Sequence, residues 1–144
     1  GSAAVRAALG TTGSLYARDS IIGSVSQLAG VPAGAIIEQG SNSNGNYTKF
    51  ADGTMICRFT SGTEYTTSNA QGSLYFSNGA NMVYPAAFVS KPEVAPSNKQ
   101  ASGSPAANFQ YSYNQTPTGV SVGGFSPAPT ARFFPGYIAI GRWY

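Results

Sequence analysis

The chain has no histidine, a single cysteine and few charges, and each shortage removes a class of function. Histidine is the commonest general base and the commonest metal ligand, so its absence takes away Ser-His-Asp and Cys-His catalysis together with most transition-metal sites. Calcium, which needs only carboxylates and carbonyls, stays open, but no spacing asks for it, and no cofactor is expected. Cys57 has no partner for an intrachain disulfide. Its place inside an expected strand reads as a buried small hydrophobe rather than a reactive thiol. Charged residues make up 9% of the chain, against about 25% in a typical soluble domain. The eight basic and five acidic residues are scattered, so no polyanion footprint forms and no nucleic-acid partner is expected. No apolar run approaches the roughly 20 residues that cross a bilayer, and no leader pattern opens the chain, so membrane insertion is not expected either. Gly1-Ser2 reads as the remnant of a cleaved tag.

What is present is a surface of Ser, Thr, Asn, Gln, Gly and Tyr. The 18 Gly, 9 Pro, 9 Tyr and 8 Phe of the 144 residues favour short strands and turns over helices, whose surfaces are usually built from Glu, Lys and Gln. The expected fold is all-β, an antiparallel β-sandwich of about eight to ten short strands. Residues 1–33 read as a lead-in. A short helix over residues 3–9, capped by Gly10, precedes a Ser/Gly/Ala-rich stretch whose spaced aliphatics (Leu15, Ile21, Ile22, Val25, Leu28, Val31) need neighbours from other chains. Residues 34–144 form the globular part.

Within it, Asp52-Gly53 joins the extended runs 46–51 and 54–59, and that dipeptide predicts a type I′ hairpin turn. Asn69-Ala70-Gln71-Gly72 reads as a break between strands, and residues 95–105 as an exposed loop. Asn108-Phe109-Gln110-Tyr111-Ser112-Tyr113 alternates, placing three aromatics on one face. Val120-Ser121-Val122 and Tyr137-Ile138-Ala139-Ile140 mark further strands.

The acids Asp19, Glu38, Asp52, Glu64 and Glu93 could supply a glycosidase pair, but Asp52 has a turn role, Asp19 lies in the lead-in and Glu38 is expected to face solvent from a strand. The chain is therefore expected not to be an enzyme. Aromatic faces that stack on sugar C–H patches, beside amides and guanidinium groups that hydrogen-bond hydroxyls, suit a carbohydrate-binding surface. The candidate ligand-binding residues are Tyr65, Asn69, Tyr111, Tyr113, Asn114 and Arg132. Tyr75, Asn78, Gln115 and Tyr144 are of the same kinds. Trp143 follows the alternation of a core strand and reads as structural.

The stretch "GSNSNGNYTKFADGTMIC" closely resembles the start of the C-terminal domain of phage and prophage tail fibres. The resemblance extends over Arg18 to Phe59, Tyr84 to Val94 ("YPAAFVSKPEV") and Tyr137 to Tyr144 ("YIAIGRWY"). In such proteins this domain is the distal tip of a trimeric fibre. The resemblance implies an intertwined homotrimer at the distal end of a virion's tail fibre, whose partner is a bacterial cell-surface carbohydrate or an outer-membrane protein. A trimerisation cap that binds nothing is the alternative, and a polysaccharide depolymerase fragment using Glu38, Glu64 and Glu93 a further one. The order Phe88-x-x-x-Pro92-x-Val94, Gly124-Phe125 and Tyr137-Ile138-Ala139-Ile140-Gly141 is also similar to the H-type lectins, trimeric β-sandwiches. Those positions imply fold and trimer, since the lectins' ligand-contacting residues have no counterpart here. Fibre tips that hold metals through His-x-His differ from this chain, which has no histidine.

Overall fold

The computed structural model describes residues 3–4, 21–105 and 109–144. The helix expected over residues 3–9, most of the lead-in and Asn108 fall wholly or partly outside them. The described chain is built of strands. A five-stranded sheet runs in the order β10 (Glu93–Pro96), β15 (Gly136–Arg142), β5 (Thr54–Thr60), β4 (Gly45–Phe50) and β3 (Ile37–Asn42). A second orders β12 (Phe109–Tyr113), β13 (Gly119–Ser126), β8 (Leu74–Phe76) and β7 (Asn69–Gln71), with β9 (Ala80–Val83) also paired to β13. A small third sheet orders β11 (Lys99–Gln100), β14 (Arg132–Phe134) and β6 (Tyr65–Thr66). A separate hairpin joins β1 (Gln27–Leu28) to β2 (Val31–Pro32). Every strand pairing is antiparallel, as expected for a sandwich. An isolated parallel bridge links Ile22 to Ile37.

The core sits between the two large sheets. Met55 and Cys57 of β5 and Tyr137 and Ala139 of β15 meet Ala80 and Met82 of β9 and Val120 and Val122 of β13, with Tyr84 and Phe88 closing one side. Period-two alternation produces this, because successive side chains of a strand point to opposite faces. In β15 the alternate residues Ile138 and Ile140 consequently point outward. The Cys57 thiol is wholly buried, and burial pushes its pKa up to about 11, so it packs as a hydrophobe.

Several local expectations are corrected. Among the described residues fifteen strands replace the eight to ten expected, because seven of them are ladders of only two or three residues. The Asp52-Gly53 turn is not type I′, which needs φ > 0 at both central residues. Only Gly53 has it, at 93°. Its amide donates to the Phe50 carbonyl at 3.0 Å, the pattern of a tight turn followed by one left-handed residue. Asp52 instead accepts from the Thr54 amide at 2.8 Å. The chain's last three residues then satisfy the loop's carbonyls. Trp143 Nε1 donates to Phe50, the Tyr144 hydroxyl to Ala51, Arg142 Nη2 to Asp52 and the Trp143 amide to Gly53.

Asn69, Ala70 and Gln71 are not a break but strand β7, opposite Phe76, Tyr75 and Leu74. The reversal falls at Gly72, whose φ of 63° supplies what that turn requires. Residues 95–105 are not all loop. β10 runs to Pro96, which an edge strand tolerates because its missing N–H would face away from the ladder. Asn98 then ties the chain down, donating to the Gly123 carbonyl at 3.0 Å and accepting from the Gly136 amide at 3.2 Å.

Glu38 does not face solvent. Its side chain is 19% exposed, and its carboxylate accepts from the Val25 amide and the Tyr47 hydroxyl, both at 2.9 Å, with Lys49 Nζ at 3.5 Å. The described lead-in is thereby fastened to β3, helped by the Ile37 amide on the Ile21 carbonyl and the Gly23 amide on the Ile37 carbonyl. Leu28 and Val31, facing each other across β1 and β2, remain exposed.

Candidate functional site: an aromatic and amide groove

The outer face of the second sheet is assembled from one register. Phe109 lies opposite Phe125, Tyr111 opposite Gly123 and Tyr113 opposite Ser121. Large rings on β12 therefore meet glycine and serine on β13, and two of them can lie down across the sheet. The Tyr111 ring covers Gly123 and the Tyr113 ring covers Gly79, so closely that a Cβ at either glycine would collide with the ring. One ring face is spent on backbone. Tyr111 and Tyr113 stack at 5.7 Å between centroids and 29°, Phe109 and Phe125 at 5.1 Å and 18°, and Tyr111 leans on Phe125 at 6.4 Å. Such offset pairs hold one another in place and add to burial.

The Tyr111 hydroxyl donates to the Ser77 carbonyl at 2.8 Å, which fixes the ring's direction. Burial raises its pKa and the neighbouring Tyr113 adds to that, outweighing the Ser77 side chain, which lowers it, so the phenol stays neutral at physiological pH. Two adjoining hollows share Phe76 and Tyr111. One, of about 450 Å³, is lined by Gln71, Leu74, Phe76, Tyr111 and Phe125. The other, of about 500 Å³, is lined by Phe76, Ser77, Asn78, Gly79, Asn81, Tyr111 and Tyr113. Both fall in the size range of small-ligand sites, roughly 300–1,000 Å³. The amides are oriented too: Asn78 Oδ1 accepts from Asn69 Nδ2 at 3.2 Å, and Asn81 Oδ1 accepts from Ser121 Oγ at 2.6 Å. Among the described residues no charged side chain lines either hollow. Tyr113 is 40% exposed, Leu74 41% and Phe109 56%, so the rings are open to a partner.

Of the candidates from sequence, Tyr111 and Tyr113 meet in this groove, and Asn69 reaches it through Asn78. Asn114 sits in the β12–β13 connection in the left-handed conformation, φ 52°, and Gln115 is turned onto Ser112 Oγ. Tyr65 and Arg132 lie elsewhere, on the small sheet. Arg132 is held by both carboxylate oxygens of Glu64, at 3.2 and 3.3 Å, and by the Ser102 carbonyl. Tyr65 packs on the core and on Phe133. Tyr144 belongs to the turn clamp. Sequence reasoning missed Leu74, Phe76, Asn81, Phe125 and the two glycines under the rings. Their signal was the pairing of an aromatic alternation with Gly123-x-Phe125, visible only once the register is known.

A further concavity of about 580 Å³ lies over β3, β4 and β5, bounded by Gln39, Asn46, Thr48, Phe50, Ile56 and Arg58 among others. It has no stacked rings. Among the described residues no three of His, Cys, Asp and Glu gather as a metal site. Three of the four described acids are engaged structurally: Glu38 by Val25, Tyr47 and Lys49, Asp52 by Thr54 and Glu64 by Arg132, while Glu93 lies exposed on β10.

No family model and no curated protein matches the chain. Among solved structures it is similar to an N-truncated R1-type pyocin tail fibre, at 18% identity and a TM-score of 0.56, covering 98% of this chain and 96% of that one. It is also similar to a P. aeruginosa R1 pyocin fibre fragment comprising C-terminal residues 323–701, at 17% identity and a TM-score of 0.55. That match covers 90% of this chain and 38% of the fragment. The resemblance to tail-fibre C-terminal domains thus extends to the fold over nearly the whole chain.

Proposed function

We propose that the chain is the receptor-binding tip of a phage or phage-like tail fibre, standing at the fibre's distal end and adsorbing without catalysis to a bacterial surface glycan or outer-membrane protein. The observation that carries this reading is the groove on the second sheet: stacked, half-exposed rings laid over glycines beside oriented amides, on a fold similar to a pyocin tail fibre. A homotrimer suits the outward-facing Ile138 and Ile140 and the exposed Leu28 and Val31. Three weak sites per fibre, and several fibres per particle, raise avidity by roughly 10²–10⁴ without a tight single site.

The test is binding of the fluorescently labelled chain to a panel of bacterial strains before and after periodate oxidation of their surface glycans. Strain-selective binding that periodate removes is the expected result. Selective binding that survives periodate moves the receptor to protein, and no binding to any strain in a broad panel overturns the adhesin reading in favour of a cap. Sedimentation at micromolar concentration is expected to give a trimer, and a monomer there would refute that part.

A further inference from the structure

The two hollows differ in chemistry, and the difference points to a ligand class. The hollow at the β7–β8 end is bounded by Leu74, Phe76 and Phe125 with a single amide, Gln71. The adjoining one is bounded by Asn78, Asn81 and the Tyr113 ring, with Gly79 at its base. Tyr111 stands between them and contributes to both. We propose that this groove binds two consecutive neutral pyranose units of a surface glycan, the unit in the Leu74 hollow carrying a methyl group (acetamido or deoxy), the unit against Tyr113 presenting its hydroxyls to Asn78 and Asn81. The proposal rests on the receptor-binding reading above and narrows it.

Three observations support the class. First, among the described residues neither hollow has a cation to pair with a carboxylate or phosphate. A desolvated anion without a partner is costly, so uronic, sialic and phosphorylated units are disfavoured. Arg132, the one cation among the residues singled out from the sequence, is engaged with Glu64 and the Ser102 carbonyl on another sheet. Second, a ring held flat over glycine offers one free apolar face, which suits the C–H face of a sugar ring, and Tyr111 and Tyr113 are both laid this way. Third, each amide oxygen already accepts a bond from Asn69 or Ser121, so Asn78 and Asn81 keep amide donors for neutral hydroxyl oxygens.

The experiment is an array of bacterial glycans of defined structure, neutral and acidic, probed with the labelled full chain, followed by titration of the best oligosaccharide and of its trimmed monosaccharides. Expected are hits confined to neutral structures, a disaccharide bound at least about tenfold tighter than either unit, and losses of about tenfold or more for Tyr113→Ala and for Leu74→Glu. Both substitutions are at exposed positions, and circular dichroism checks that they fold. Hits on acidic glycans that Tyr113→Ala and Leu74→Glu abolish would overturn the neutral class while leaving the receptor-binding reading standing. Hits that neither substitution affects would overturn the groove as the site. Strain-selective cell binding with no glycan hit would overturn the sugar-pair proposal and leave a protein receptor.

Discussion

Tyr47 and Tyr111 each lie across an antiparallel pair from a glycine, Gly40 and Gly123 respectively, and each covers it so closely that a Cβ would collide. The local device is the same and the outcomes differ. On the first sheet the Tyr47 hydroxyl donates to Glu38, and Lys49 Nζ sits 5.2 Å from its ring and 5.6 Å from the Trp143 ring. Tyr47 lines the concavity over β3 to β5 as well, but its hydroxyl is committed to Glu38, Lys49 stands beside its ring and the ring packs on the core. On the second sheet the Tyr111 hydroxyl donates to the Ser77 carbonyl, and Tyr111 and Tyr113 rest on each other, on Phe125 and on glycine backbone, with no ion pair or cation beside their rings among the described residues. A tyrosine over a glycine becomes a structural pin or stays open to solvent according to what else reaches its free face.

The largest stability effect is expected where the ring cannot move. Gly40→Ala drives a methyl into the ring of Tyr47, which Glu38 and Lys49 hold in place, and should cost about 1–3 kcal/mol of unfolding free energy in urea titration. A loss under about 0.5 kcal/mol would mean that Tyr47 is as free as Tyr113. The matching change on the other sheet, Gly79→Ala, should leave stability within about 0.5 kcal/mol because the exposed Tyr113 ring can swing outward. It should nevertheless lower strain-selective cell binding about tenfold, since the platform is lost.

Acid should separate the two sides further. Burial raises the Glu38 pKa, but the Val25 amide, the Tyr47 hydroxyl and Lys49 outweigh it and hold the carboxyl below its ordinary value of 4.5. A lowered carboxylate contributes stability that is present above its unfolded pKa and is lost as pH falls through the lowered folded value. The gap in melting temperature between the natural chain and Glu38→Gln should therefore be widest at neutral pH and shrink below about pH 4.5. A gap that does not change with pH would remove the charge from the explanation. The smallest effect concerns a third tyrosine. The hydroxyl of Tyr84 is buried with no hydrogen-bond partner among the described residues, and burial pushes its pKa up to about 12. Tyr84→Phe should be neutral or stabilising by up to about 1 kcal/mol, whereas Tyr111→Phe, which removes the bond to Ser77, should not stabilise.

Much of the fold was legible in the chain because it is written in neighbours. Alternation in 109–113 and 136–142, the Asp-Gly reversal and the shortage of helix-surface residues each depend on residues a few positions apart, and strand geometry converts such patterns directly into faces. The turn type at Gly53 was misread for the same reason that its hairpin was found: Asp-Gly signals a reversal, but the number of residues in the loop depends on how β4 registers on β5. Likewise the ladder roles of Asn69 to Gln71 and of Pro96 depend on partner strands that sit far away in sequence.

The site divides along that line. By itself the sequence determined an all-β chain with an uncharged, aromatic and amide-rich surface, no histidine chemistry, and rings at 109, 111 and 113 on a common face, since composition and a period of two need no partner to be read. Only the tertiary structure decided that Gly123 and Gly79 lie beneath those rings, that Leu74, Phe76, Asn78 and Asn81 complete the groove, and that Arg132 is claimed by Glu64. Those are long-range pairings set by the register of β13 against β12, β8 and β9 and of β14 against β6 and β11, and register is a property of packed sheets rather than of any one strand.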